Sequence, residues 1–391
     1  MLGSLAAVPL AAAHSDISLP KKTPSALRPG GEYDRFIADL AAAGTFSGAV
    51  LLAHRGRPVL QRAHGMADRK RRVPNRTDTR FDLASITKTF TAVACAQLAE
   101  QRKLAFTDTI GAHLDGYPAE IAGTATVQQL LTHTSGVGRP GRGGEGPPDA
   151  ADWDSVDKVW NGNAAYIRGL PLRFTPGTKY AYSNDGFFVL GEIVAKTSTH
   201  TSYYDHVASR IFRQARMGGS GFFTRRDVLS DQRIAHPYAK MPSGEVVDVA
   251  TDKNFPFVGT PYRGAYSTVH DLLAYTRALT TGKLLGPAYV HVITSGKTVV
   301  DPRPEPATPT PSSTPPVTST GAPLKLYGFG FGDEVVNGHR VFGHSGSGPG
   351  AANQLDVFPD LGWTSIILAN QSDPIDPIVT KVRQLITHAS R

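Results

Sequence analysis

The sequence predicts an α/β (α+β) architecture: one antiparallel sheet shared by both chain ends, flanked by N- and C-terminal helices, with an all-α lobe inserted between them. Three observations carry this. Near the front, Tyr33, Phe36, Ile37 and Leu40 form a short amphipathic helical pattern that runs into a β-rich hairpin. The middle, from about residue 85 to 259, is dominated by helical periodicity. At the back, strand-like runs broken by tight turns end in a second amphipathic helix. With 391 residues the chain can bury a substantial core divided into two lobes. Composition is that of a globular protein, 40% hydrophobic and 19% charged, while 40 Gly and 29 Pro foretell many surface loops.

Taken in order, Leu2 to Ala13 is an apolar run closing on Ala11-Ala12-Ala13. It reads as the end of a secretory signal whose basic start lies upstream or has been trimmed, which places the protein in the periplasm or outside the cell. Residues 14 to 31 read as a mobile linker, and 32 to 391 as a single domain. Its α/β lobe is expected over about 32–84 and 260–391, its α lobe over about 85–259. Gly44 stops the first helix. Gly48 to Ala53 then turns through His54-Arg55-Gly56-Arg57-Pro58 into Val59-Leu60-Gln61, a hairpin. Arg69-Lys70-Arg71-Arg72 sits between turn-like segments and reads as a solvated hairpin tip.

The next stretch, Phe81 to Phe90, places Ser85 three residues before Lys88 at the start of an apolar helix. Ile86, Phe90, Val93 and Gln97/Leu98 mark its buried stripe. Positions i and i+3 share a helical face, so Lys88 can reach the Ser85 hydroxyl, and the free N–H groups of a helix start favour an oxyanion there. That suits an activated serine nucleophile; equally, Ser85 can be a helix cap with Lys88 exposed in the first turn. Cys95, the one cysteine, excludes an internal disulfide and reads as a small buried filler.

Further on, Leu130 to Gly136 holds His133 between hydroxyls; such a histidine serves as a base or fixes the backbone at a helix end, and the second role is the expectation. Gly141-x-Gly143-x-x-Gly146 has no strand before it and Pro147-Pro148 after it, so it is a loop and not a dinucleotide fingerprint. Tyr182-x-Asn184 lies in a turn before a helix over Phe187 to Lys196, where a packed ring and an N-cap side chain would look the same. A helix follows from about Val269 to Leu279. Residues 302 to 323, rich in Pro, Ser and Thr, read as a disordered surface insertion. Strands are expected at Tyr327 to Phe331, Val341 to His344, Leu355 to Phe358 and Thr364 to Leu368, and a closing helix carries Ile378, Val382, Leu385 and Ile386 on one face.

Ser85-x-x-Lys88, Tyr182-x-Asn184 and His344-Ser345-Gly346 occur in this order across most of the chain. Together they resemble the motifs of the serine β-lactamase and penicillin-binding-protein superfamily, in the branch of class C β-lactamases, DD-carboxypeptidases, D-aminopeptidases and related esterases. The similarity runs from about Gly48 to Leu385 and includes Leu130 to Gly136 and Pro176-Gly177. The resemblance implies a two-lobe β-lactamase-like fold with the site between lobes. It implies that Ser85 is the nucleophile and that Lys88, Tyr182 or both act as base. It also implies that Asn184, His344, Ser345 and Gly346 bind substrate, and that the backbone N–H groups of Ser85 and Ser347 form the oxyanion hole. Where class C β-lactamases carry Lys-Thr-Gly, this chain has His344-Ser345-Gly346. A permanent cation facing a substrate carboxylate is thereby lost, so a peptidase or esterase is favoured over a β-lactamase.

Other classes fit less well. Gly343-His344-Ser345-Gly346-Ser347 lacks the final glycine of an α/β-hydrolase elbow, and too little chain follows it for that fold. A penicillin-binding sensor that acylates without turnover stays open, as does acyl transfer. The net charge of +8 suits an anionic cell envelope, but no basic stripe interleaved with aromatics points to nucleic acid. No run approaches a membrane span, and no metal-ligand spacing or cofactor motif stands out. The expected partner is a small-molecule or peptide substrate, with peptidoglycan-derived compounds among the candidates.

Overall fold

The computed structural model describes residues 23–139, 146–198, 201–300 and 324–388. Its centre is an eight-stranded antiparallel sheet. The strands are β1 (Gly48–His54), β2 (Arg57–His64), β3 (Thr298–Val299), β4 (Lys325–Tyr327), β5 (Gly332–Val336), β6 (His339–Gly348), β7 (Ala351–Phe358) and β8 (Trp363–Ala369). Their order across the sheet is β2-β1-β8-β7-β6-β5-β4-β3. The first strand therefore lies against the last, with Gly48 opposite Ala369 and His54 opposite Trp363. The expectation of one sheet assembled from both ends of the chain holds.

Both faces of this sheet are covered, which explains why β1 and β8 are near-continuous apolar runs. Period-2 alternation sorts their side chains. Val50, Leu52 and Ile367 point to one face, where they meet Ile37 of α1 (Glu32–Ala42) and Ile378, Val382 and Ile386 of the C-terminal helix, Asp376–His388. Ala49, Leu51, Ile366 and Leu368 point to the other, onto Phe90, Val93 and Leu272. That second face carries the helix Val269–Thr280, which packs on β1 and β8, and the same core holds α2 (Thr87–Glu100), packed against α3 (Asn184–Thr197). Helix α2 is buried all round from Thr87 to Ala99, more than the one stripe expected. It is the core of the helical region and not its lining.

Several readings of the sequence change here. Residues 25–27 form a 3-10 turn and Leu27 is completely buried under the terminal helices, so the described end of the expected 14–31 linker is docked. Of the expected Tyr327 to Phe331 strand only Tyr327 is β, as the last residue of Lys325–Tyr327; Gly330 takes φ +75 with its Cα against Ala92, a position a side chain would obstruct. Phe329 and Phe331 leave the sheet to pack in the core instead. The strand Gly332–Val336 was not foreseen, because its partners are polar: Asp333 holds Arg340 at 2.8 Å and Glu334 holds Arg383 at 3.1 Å. The Arg69 to Arg72 tip is exposed, as expected, and Cys95 is buried. The apolar segment Leu2 to Ala13, the glycine-rich motif through residue 145 and the proline-rich stretch 302–323 lie outside the described residues. Among the described residues no helix is long and apolar enough to cross a membrane.

Candidate active site

Ser85 stands in the 3-10 turn Ala84–Ile86 that feeds directly into α2. The turn is held from outside. Asp82 Oδ1 accepts the Ala84 N–H at 2.8 Å, and Asn353 Nδ2 donates to the Asp82 carbonyl at 2.9 Å. Ala84 itself sits at φ +45, a left-handed conformation that costs a residue with a β-carbon about 1 kcal/mol and persists only where neighbours impose it. Ser85 is half-buried, so its hydroxyl remains accessible.

One turn into the helix, Lys88 is completely buried and its amine has three partners: Ser85 Oγ at 3.0 Å, Asn184 Oδ1 at 2.8 Å and the Tyr262 carbonyl at 2.9 Å. Tyr182 OH lies 2.8 Å from the same Ser85 Oγ. The two carbonyl oxygens can only accept. A neutral amine spends both its N–H bonds on them, leaving its lone pair aimed at the serine hydroxyl. Burial pushes the Lys88 pKa well below that of an ordinary lysine, and the Arg263 cation pushes it further, against the opposing pull of Asp185. The phenol of Tyr182 then donates to Ser85 Oγ while Ser85 donates to Lys88. Hydroxyl, amine and phenol thus meet within hydrogen-bonding distance at Ser85 Oγ.

Asn184 is the first residue of α3, but it is not its cap: Ser183 Oγ caps the helix by accepting the Gly186 N–H at 2.9 Å. That frees the Asn184 side chain to turn to Lys88. His133 behaves as the sequence suggests, at φ +59 just past a short helix ending at Leu131. Its carbonyl accepts the Ala181 N–H at 2.8 Å and its Nδ1 accepts the Ser183 N–H at 3.1 Å, clamping the backbone on both sides of Tyr182. The His133 and Tyr182 rings are 4.3 Å apart. Burial, with Lys88 and His344 nearby, keeps this imidazole neutral.

The third motif lines the site along β6. Strand β5 pairs with β6 only through Gly343, whereas β7 pairs with it as far as Gly348. Among the described residues one edge of β6 from His344 to Gly348 therefore has no strand partner, and it faces the Ala84–Ile86 turn. Gly346 is required there, because a β-carbon would collide with the Leu83 carbonyl. Ser345 and Ser347 are exposed.

His344 departs from its expected role in substrate binding. It is 6% exposed, its Nδ1 donates to the Ser345 carbonyl, and its Nε2 accepts from Tyr327 OH at 2.8 Å. The carbonyl can only accept, so the tautomer is fixed and Tyr327 must be the donor. Burial, helped by Lys88, pushes the His344 pKa down to about 3. Both ring nitrogens are thus committed to the wall. The residue shapes the strand and does not present a charge to the cleft. Sequence reasoning missed Tyr327, the Tyr262 carbonyl, Asn353 and Arg263; no local pattern marks any of them.

A sheet backed by terminal helices, with a serine, a lysine and a tyrosine meeting beside the half-paired strand β6, defines the β-lactamase/transpeptidase-like class. The chain belongs to the Beta-lactamase family, whose model matches residues 33–390. It is 28% identical over 356 residues to penicillin-binding protein 4* of Bacillus subtilis, covering 84% of this chain and 69% of that protein. The crystal structure of a penicillin-binding protein from Bacillus halodurans superposes with a TM-score of 0.72 at 26% identity, over 89% of this chain and 98% of that one. A D-stereospecific amidohydrolase from Streptomyces sp. shares the fold, with a TM-score of 0.69 at 23% identity over 90% and 98%.

Proposed function

We propose that the protein is a serine hydrolase that cleaves an amide or ester through an acyl-enzyme on Ser85, in the manner of a DD-carboxypeptidase, D-aminopeptidase or esterase. The observation that carries this reading is the convergence of Lys88 Nζ and Tyr182 OH on Ser85 Oγ, at 3.0 and 2.8 Å. Membership of the family, the likeness to a penicillin-binding protein and the shared fold of an amidohydrolase agree with it.

In this mechanism Ser85 Oγ attacks the substrate carbonyl as its proton passes to Lys88. The oxyanion is met by the N–H groups of Ser85 and Ser347, and preorganised donors of this kind contribute about 3 kcal/mol each to the barrier. Collapse of the adduct breaks the bond to the leaving group, which takes its proton from Tyr182; the proton held on Lys88 restores the phenol. Water then adds to the acyl-enzyme as its proton passes through the Tyr182 phenol to Lys88, and Ser85 recovers that proton as the acid departs. Asn184 holds Lys88 and offers its Nδ2 to the substrate. Export, so that the enzyme works in the periplasm or outside the cell on a small molecule or peptide, is part of the reading and rests on Leu2 to Ala13.

Intact-mass spectrometry during turnover of short-chain esters, D-amino-acid amides, D-Ala-D-Ala peptides and a cephalosporin tests this. A transient acyl adduct on Ser85 with product release is expected, and Ser85→Ala should lose both while keeping its circular dichroism. A persistent adduct would convert the assignment to a penicillin-binding sensor, rapid cephalosporin turnover would convert it to a β-lactamase, and full activity in the serine variant would overturn it.

A further inference from the structure

We propose that Arg263 is a specificity-determining residue: its guanidinium binds a carboxylate carried on the acyl part of the substrate, beyond the scissile carbonyl on the Gly348 side. This deepens the acyl-enzyme reading and rests on it.

The loop that presents Arg263 is built to be stiff. Thr260 and Arg263 exchange backbone hydrogen bonds at 2.8 and 3.2 Å, closing a tight turn that contains Pro261. Gly264, at φ +82, is pressed against Gly259 so closely that neither position has room for a side chain. The residue before Arg263 supplies the carbonyl that accepts from Lys88 Nζ at 2.9 Å. The cation is therefore one residue away from a group that holds the catalytic amine.

Its guanidinium reaches across to the open strand edge. A methyl group built on Gly348 would lie 3.6 Å from Arg263 Nη2, ordinary van der Waals contact. Gly348 directly follows Ser347, whose N–H is assigned to the oxyanion. The charge of Arg263 is felt at Lys88 and at Asp82, whose carboxylate accepts the Ala84 N–H in the turn that carries Ser85.

Among the described residues no carboxylate lies within ion-pair distance of this charge; Asp82 feels it only from further off. Arg62, Arg139, Arg168 and Arg383 each hold a carboxylate within 2.7 Å. Among the described residues Arg263, half-buried, makes neither an ion pair nor a side-chain hydrogen bond. A partly desolvated cation beside a substrate strand favours an anion that docks there, and a planar guanidinium suits a carboxylate bidentately.

The polarity of the cleft says which part of the substrate carries that anion. Tyr182, which protonates the leaving group, lies at the His344 end: the His133 ring touches both Tyr182 and Tyr327, and Tyr327 bonds His344. The leaving group departs at this neutral end. At about 3.3 Å per strand residue, Gly348 is roughly 13 Å further along. The acyl group extends toward it. The substrate class that fits is an amide or ester of a short dicarboxylic or acidic acyl unit, of glutaryl or glutamyl type.

The test compares p-nitrophenyl hydrogen glutarate with p-nitrophenyl pentanoate, equal in chain length, after subtracting spontaneous hydrolysis. The wild-type protein should prefer the anionic ester in kcat/KM by about tenfold or more, through KM. Arg263→Gln should bring the ratio near unity, Arg263→Lys should retain part of it, and Arg263→Glu should favour the ester of 5-aminopentanoate. Equal ratios in the wild type and Arg263→Gln, with both esters acylating Ser85, overturn the proposal and leave the hydrolase reading intact. Failure of both esters to acylate Ser85 counts against the hydrolase reading instead. In that case calorimetric titration with glutaric acid monoamide decides the anion site directly: binding that Arg263→Gln abolishes supports it, and equal or absent binding refutes it.

Discussion

The two ends of the open β6 edge hold the same kind of residue in opposite states. At one end His344, a basic side chain, is sealed against Tyr327 and the Ser345 carbonyl and is neutral. At the other, beside Gly348, Arg263 is half-buried, charged and unpaired among the described residues. The difference teaches that a motif position does not fix the charge it presents. Burial and hydrogen-bond bookkeeping do. A lysine at position 344 would have to hold its charge inside a wall of aromatic rings, whereas arginine keeps its charge almost anywhere. Arg263 lies instead at the far end of this edge, on the Thr260–Arg263 turn beside Gly348.

The largest expected effect tests whether the centre between these ends is organised as described. Lys88→Met keeps the volume and removes the base, and the kcat of a neutral activated ester should fall by about 10^3 or more. A fall below tenfold would mean that Tyr182 alone takes the serine proton. Tyr182→Phe comes next, with a loss of about 10^2 that should be greater for an amide than for an ester carrying a good leaving group, because the phenol serves the departing atom. Equal losses on both substrates would separate Tyr182 from the leaving-group side and weaken the polarity assigned to the cleft.

Acid stability sharpens the neutral end. Folding holds His344 down at about 3, His206 down at about 4 and His133 well below its ordinary value, while the unfolded chain binds these protons near 6.5. Above that pH both states are neutral and nothing is gained or lost. As pH falls through 6.5 the unfolded state takes up protons that the folded state refuses, so stability should drop by about 1.4 kcal/mol per pH unit for each such histidine. Melting temperatures between pH 7 and 4 measure this, and His344→Gln should show a shallower decline. The smallest effect is on catalysis. His344→Gln should change kcat/KM on neutral esters by less than about fivefold and leave its pH profile between 5 and 8 in place. Loss of an ionisation in that range would mean that His344 titrates in the cleft after all.

Much of this was legible in the sequence because short-range geometry carries it. Ser85 and Lys88 are three apart at a helix start, and their spacing alone puts amine and hydroxyl together. The β1–β2 and β7–β8 hairpins announce themselves by apolar runs around tight turns. Tyr182 and Asn184 were found by resemblance; their order on the chain says nothing of a shared contact with Ser85 and Lys88. What stayed hidden depends on loops from distant parts of the chain. The Tyr262 carbonyl has no side-chain signature at all, and Arg263 looks like one basic residue among 41. The Nε2 partner of His344 is Tyr327, 17 positions away. Alternating aromatics at 327–331 imitate a strand, and only the close approach of Gly330 to Ala92 breaks it.

The pairing of Gly48 with Ala369 has a consequence for how the molecule comes into being. The turn that carries Ser85 packs on β6 and β7, which reach β1 only through β8, so a nascent chain has Ser85, Lys88 and Tyr182 long before it has the floor beneath them. Closing so long a loop is entropically expensive and slow. Until the ribosome has delivered the final hairpin, Ser85 belongs to an unfinished shell, and activity should switch on in one step, late, when the two ends of the chain zip together.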